Sequence, residues 1–234
     1  MTGKQFSSVW LREPRPARSP GRSREEIVRA AVELLDAEGL DGLSMRKLGA
    51  KLDAGATSLY WYVANKHELL ELVYDEIWGE MTVPEPRDGR WHETARGFAH
   101  SMRQVVLRHP WAARLIGRVP ALGPNALGSS ARLARAFKIA GFRGLEIDYA
   151  VSTLTAYVFG TVIPEVAYNE TMAEGAVDEQ SVRETVERAV ADHPEILERM
   201  RENASFTDTE QVREMMFSFG LAAVLDGLEA RLVT

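Results

Sequence analysis

The sequence predicts an all-α fold, with an N-terminal helix-turn-helix domain of three helices followed by a larger C-terminal helical domain. Three observations predict it. Apolar residues recur at helical spacing almost throughout, and no stretch alternates apolar and polar residues as a half-buried strand does. Ser23 and Asn65 each stand three residues before a Glu, the signature of a helix start. Proline and glycine, at Gly39, Gly55, Pro84, Pro86, Pro110 and Pro194, interrupt the pattern at intervals that suit short helices.

The first helix begins at Ser23, whose hydroxyl suits the N3 amide while Glu26 reaches back to the Ser23 amide. Ile27, Ala30, Ala31, Leu34 and Leu35 then form one apolar stripe that ends at Gly39. A short second helix starts at Ser44, with Leu48 and Leu52 facing inward and Arg46, Lys47 and Lys51 outward. Residues 53–55, Asp-Ala-Gly, supply a turn. A third helix is expected over 56–63, and Asn65 caps a fourth carrying Leu69, Leu70, Val73 and Ile77. On the third helix Leu59 and Val63 take the inward face, so Tyr60, Trp61 and Tyr62 fan outward by about 100° per residue. A helix cannot bury all of them. With Thr57, Ser58 and Lys66 they offer hydroxyl, indole and ammonium donors suited to phosphates and base edges; packing of Tyr60 and Trp61 at the flank of the core is the plainer reading.

Residues 23–81 resemble the N-terminal DNA-binding domain of the tetracycline-repressor (TetR) family, through SREEIVRAAVELLDAEGLDGLSMRKLGAKLD followed by AGATSLYWYVANKHELL. The family's Leu-Tyr-Trp-x-Val-x-Asn-Lys run corresponds to Leu59, Tyr60, Trp61, Val63, Asn65 and Lys66. The resemblance implies that Arg46 reaches a base or phosphate with Lys47 assisting from the flank. It implies also that Thr57 and Ser58 open the recognition helix, and that Tyr60, Trp61, Tyr62 and Lys66 contact the DNA backbone. Gly55 and Ala56 depart from the family's usual amide or Ser at the helix start; Ala56 can still touch a thymine methyl.

Charge is distributed to match. The chain carries a net charge of -6, yet residues 1–67 hold 11 Lys or Arg against 8 Asp or Glu. Lys4, Arg12, Arg15, Arg18 and Arg22 make residues 1–22 a basic, Pro- and Ser-rich arm, expected to be disordered by itself, and Arg24 follows. Two readings stand for it, a solubilising tail or an arm that follows a groove of DNA.

Residues 88–234 are read as a helical domain, with helices over 91–109, 111–117, 125–140, 145–168, 181–191, 195–203 and 209–232. The 145–168 and 209–232 helices are apolar on more than one face, which suits burial on both sides. In the resembled family such helices form a four-helix dimer interface, so a homodimer on a palindromic double-stranded operator is expected; a larger monomeric core is the alternative. Large apolar groups with few polar ones, including Met102, His109, Trp111, Phe137 and Tyr157, suit a small-molecule cavity. By resemblance it takes an effector whose binding releases DNA. Ordinary core packing is the competing account of each of these residues.

Other chemistry finds little support. The chain has no Cys, which removes thiolate nucleophiles, disulfides and thiolate metal sites. It lacks G-x-S-x-G, P-loop, G-x-G-x-x-G and H-E-x-x-H patterns, and His92, His100 and His109 lie 8 and 9 residues apart, off any shared ligand face. Neither enzyme activity, a cofactor nor a metal is expected. The first 24 residues hold no apolar signal core, and the longest uncharged stretch, 149–164, has 16 residues where a span needs about 20. A cytoplasmic protein without a membrane partner is the expectation. The reading is a ligand-responsive, dimeric transcriptional regulator, most simply a repressor. Its alternative is a constitutive DNA-binding or protein-partner module without an effector.

Overall fold

The computed structural model describes residues 8–11, 23–173, 175, 178–203 and 209–232. Among these the regular elements are α-helices and two 3-10 turns, with no strand. The chain divides into two compact units, residues 1–159 and 160–234.

The first unit opens its helical part with α1 (Arg24–Gly42). Ser23 and Glu26 form the expected reciprocal capping box. Gly39 interrupts α1 with φ 68°, a left-handed conformation that costs a side-chain-bearing residue more than glycine, and this is why the apolar stripe ends there. The following helices are α2 (Met45–Lys51), α3 (Ala56–Leu59) and α4 (Lys66–Trp78). Helix α3 is shorter than the eight residues expected, because 60–62 continue as turns that bring Val63 back into the core. Asn65 Oδ1 accepts the Glu68 amide at 2.9 Å as expected, while the Glu68 carboxylate takes the Ala64 amide, one residue before the cap.

Helices α5 (Trp91–Arg108), α6 (Pro124–Ala140) and the first part of α7 (Leu145–Ala173) complete this unit. Between α5 and α6 the expected helix over 111–117 is a 3-10 turn, Pro110–Arg114. Trp91, Phe137 and Phe142 pack as a buried aromatic triangle with ring centroids 5.5 to 6.4 Å apart. Helix α7 runs 29 residues through Pro164, long and apolar enough to cross a membrane by length and composition alone. Within the second unit α7 ends, and α8 (Glu179–Ala189), α9 (Pro194–Glu202) and α10 (Thr209–Glu229) follow. There Arg213 of α10 donates to Asn169 Oδ1 of α7 at 2.6 Å and lies over the Tyr168 ring. Phe217, Leu221 and Leu225 of α10 are buried, and Met215, Met216 and Phe219 are exposed.

The expected disordered arm needs correcting at 8–11. Val9–Leu11 is a 3-10 turn on α4, with Ser8 and Val9 buried. Its anchor is Glu71, whose wholly buried side chain accepts from the Ser8 hydroxyl and, at 3.2 Å, from the Val9 amide. A carboxylate taken out of water needs such donors. Residues 1–7 and 12–22, which hold most of the arm's basic charge, lie outside the described residues.

Candidate nucleic-acid interface

The turn between α2 and α3 is built from short-range bonds. Ser44 Oγ accepts the Lys47 amide at 3.2 Å and starts α2, and the Ala54 amide returns to the Gly49 carbonyl at 2.8 Å. Asp53 makes the turn with φ 46°, a conformation Asp tolerates better than most residues. Leu48, Leu59 and Val63 are buried to 1% or less, which fixes α3 on α2 from beneath. The opposite surface is therefore presented to solvent.

On that surface Tyr60 is 46% and Trp61 66% exposed, and Tyr62 is half-buried. Ala56 opens α3, and Thr57 and Ser58 are exposed on it, with the Ser58 hydroxyl donating to the Gly55 carbonyl at 2.7 Å. Arg46 is exposed on α2 and makes no hydrogen bond or ion pair among the described residues. The other cations are engaged. Lys47 pairs with Glu38 and Lys51 with Glu33 at 2.9 Å, both on α1. Lys66, expected on the DNA backbone, donates to the Leu40 and Leu43 carbonyls at 3.2 and 2.8 Å, closing the end of α1. One ammonium N–H is left to it for any other contact. The exposed side chains of α2, α3 and the turn after it offer hydroxyls, aromatic edges and a guanidinium, a donor set suited to phosphates and base edges.

Two polar joints tie helices α1 and α4 to the segments that follow them in the same unit. Asp75 of α4 accepts the Ala126 and Asn125 amides at 2.9 and 3.3 Å, while Asn125 Nδ2 donates to the Asp75 carbonyl. Helix α6 thus borrows its N-terminal cap from another helix. A Cβ at Gly123 would run into the Asp75 carboxylate, so glycine is required there. Burial pushes the Asp75 carboxyl above its ordinary value, although the amide bonds pull the other way. The sequence held a signal for this joint: a helix beginning Gly-Pro, with no capping side chain of its own, needs an acceptor from elsewhere.

The second joint holds two of the effector candidates. His109 is buried, with Nδ1 2.7 Å from Asp36 Oδ1 on α1 and Nε2 3.1 Å from Glu80 Oε1 just past α4. Trp111 donates its indole N–H to the same Asp36 oxygen at 2.7 Å. The polar atoms of both residues face carboxylates of the DNA-binding part. Met102 and Phe137 are buried and Tyr157 is half-buried. A groove of about 310 Å³ runs along α5 beside Glu80 and Thr82, lined by His100, Ser101, Gln104 and Arg108 among others. It is polar, and none of the five effector candidates lines it. Among the described residues no group of three or more His, Cys, Asp or Glu is placed to hold a metal ion.

Residues 27–73 match the family described as Bacterial regulatory proteins, tetR family, and residues 83–232 match the Tetracyclin repressor-like, C-terminal domain. An HTH-type transcriptional regulator of Saccharopolyspora erythraea is 37% identical over 188 residues, 80% of this chain and 79% of its own length. The HTH-type transcriptional repressor DrrR1 of Streptomyces coeruleorubidus is 31% identical over 230 residues, 94% of this chain and 83% of its own. The crystal structure of ActR of Streptomyces coelicolor in complex with actinorhodin superposes with a TM-score of 0.71 at 28% identity, covering 91% of this chain and 99% of that one. The exposed reading surface, the all-helical body and these matches agree: the chain belongs to the tetR family of bacterial regulatory proteins and is a DNA-binding regulator of transcription.

Proposed function

We propose that the protein is a repressor that binds a palindromic operator as a dimer and leaves it when a small molecule binds the helical domain. Residues 23–81 read DNA, and residues 88–234 hold the effector and the dimer contact. The observation that carries this reading is the exposure of Tyr60, Trp61 and Arg46 on a helix-turn-helix whose Leu48, Leu59 and Val63 are buried. Two adjacent aromatics left so exposed, each with a polar tip, suit a polar partner surface.

Within that surface Arg46, Tyr60, Trp61 and Tyr62 hold the backbone, with Lys47 and Lys66 in support, and Ala56, Thr57 and Ser58 meet base edges. Release by a ligand is supported by ActR, which was crystallised with actinorhodin, and repression by the name of DrrR1. Met102, Phe137 and Tyr157 are the proposed apolar contacts of the effector. The dimer is supported by α10, where Met215, Met216 and Phe219 leave 43%, 68% and 80% of their surfaces uncovered.

Binding-site selection from random duplexes, followed by gel shifts on the selected sequence, tests the reading. A palindrome bound with steep salt dependence is the expected result. Failure to shift any duplex at low salt would remove it.

A further inference from the structure

The contact of His109 with Asp36 and Glu80 has no part in reading DNA, yet it joins three elements: α1, the connector after α4, and the end of α5. Neutral imidazole carries one N–H and one bare nitrogen. Here both ring nitrogens meet carboxylate oxygens, at 2.7 and 3.1 Å, so only the doubly protonated ring donates to both. Asp36 Oδ1 already accepts the Trp111 indole N–H, and Arg108 donates to Glu80 Oε2 at 2.5 Å, which keeps both carboxylates in the acceptor role. Arg114 paired with Asp41 at 3.0 Å lies along the same seam of α1 and the 3-10 turn. The ring is buried, but Asp36 and Glu80 keep about a third of their side chains in solvent, so the proton has a path to exchange. Helix α1 is in turn the bar to which the reading helices are tied, through Glu38 to Lys47 and through its terminal carbonyls to Lys66.

We propose that His109, doubly protonated, is a positioning residue of this regulator: it clamps α1 to the connector and so sets the orientation in which each helix-turn-helix unit meets its half of the operator. The inference rests on the operator-binding reading above. Loss of the proton turns a lone pair toward a carboxylate, one arm of the clamp opens, and the two reading units lose their fixed separation. Recognition by one unit alone is unaffected.

The test uses the full chain, the palindromic duplex recovered by selection and a duplex carrying one half-site, at about pH 6 and about pH 8.5. Affinity for the palindrome is expected to fall about tenfold at the higher pH, with less than about a twofold change on the half-site duplex. His109→Ala should bind the palindrome weakly at both pH values. Because that buried substitution can disturb folding, Glu80→Gln provides the second arm. Its amide can turn oxygen or nitrogen toward Nε2 and satisfy either form of the ring, so tight binding should persist and the pH effect should vanish. The clamp is overturned if palindrome affinity does not change with pH, if the half-site duplex shows the same fall, or if Glu80→Gln keeps the full pH effect. A chain that shifts no duplex at either pH overturns both this inference and the operator-binding reading, whereas binding without the pH signature removes the clamp alone.

Discussion

Arg46 stands on α2 with its guanidinium unpaired among the described residues, while its neighbours Lys47 and Lys51 are held by Glu38 and Glu33. The difference decides what each substitution should do. Arg46→Ala is expected to reduce the slope of log affinity against log salt by about one, as the loss of one phosphate contact does, leaving thermal stability unchanged. A slope equal to that of the parent chain would take Arg46 off the backbone. Lys66→Ala should differ in kind, because its ammonium closes the end of α1. A stability loss of about 1 kcal/mol in denaturant melts is expected alongside any weakening on DNA. Tyr74 offers a readout independent of DNA. Burial pushes its phenol up to about 12 from 10.0, so the stability it contributes is present below the unfolded value and is lost as pH climbs through the folded one. Tyr74 should therefore ionise late in an absorbance titration, and Tyr74→Phe should remove that late step.

At the scale of elements, the borrowed cap of α6 is the most demanding contact. Gly123→Ala forces a Cβ into the Asp75 carboxylate, and Asp75→Ala leaves the Asn125 and Ala126 amides without their acceptor. Each should lower stability, the second by about 1 to 2 kcal/mol, the usual range for losing a helix cap. Equal melting of Asp75→Ala and the parent chain would show that the cap carries no weight. The raised Asp75 pKa also fixes a sign. Its folded form holds the proton more tightly than the unfolded one, so this group favours folding at acid pH and loses that contribution as pH rises through the folded value. Helix α3 teaches a related lesson. Its four residues are too few to persist alone, and Leu48, Leu59 and Val63 hold it in place by burial.

For the whole molecule, the proposed function needs two reading units at a fixed separation of about 34 to 36 Å, one turn of duplex. Met216 and Phe219 on α10 are exposed, and the proposed dimer is the partner that would cover them. Met216→Glu with Phe219→Glu is expected to give a monomer in analytical ultracentrifugation and to abolish tight binding to the palindrome while a half-site duplex is still bound. A dimer that persists with both charges in place would move the interface away from that face of α10.

The N-terminal reading domain was legible in the chain because its instructions are local: Ser23 with Glu26, Asn65 before Glu68, and the apolar spacing of Leu59 and Val63 each act within one or two turns of helix. For the same reason the outward fan of Tyr60 and Trp61 followed from helical geometry, and the Leu-Tyr-Trp-x-Val-x-Asn-Lys run pointed to the family. Tertiary structure alone decided the partners of polar side chains far apart in sequence. Ser8 reaches Glu71, Asp75 reaches α6, and His109 with Trp111 turns to Asp36. Such pairs leave no period in the sequence, since a buried carboxylate needs a donor but does not specify from which part of the chain it comes.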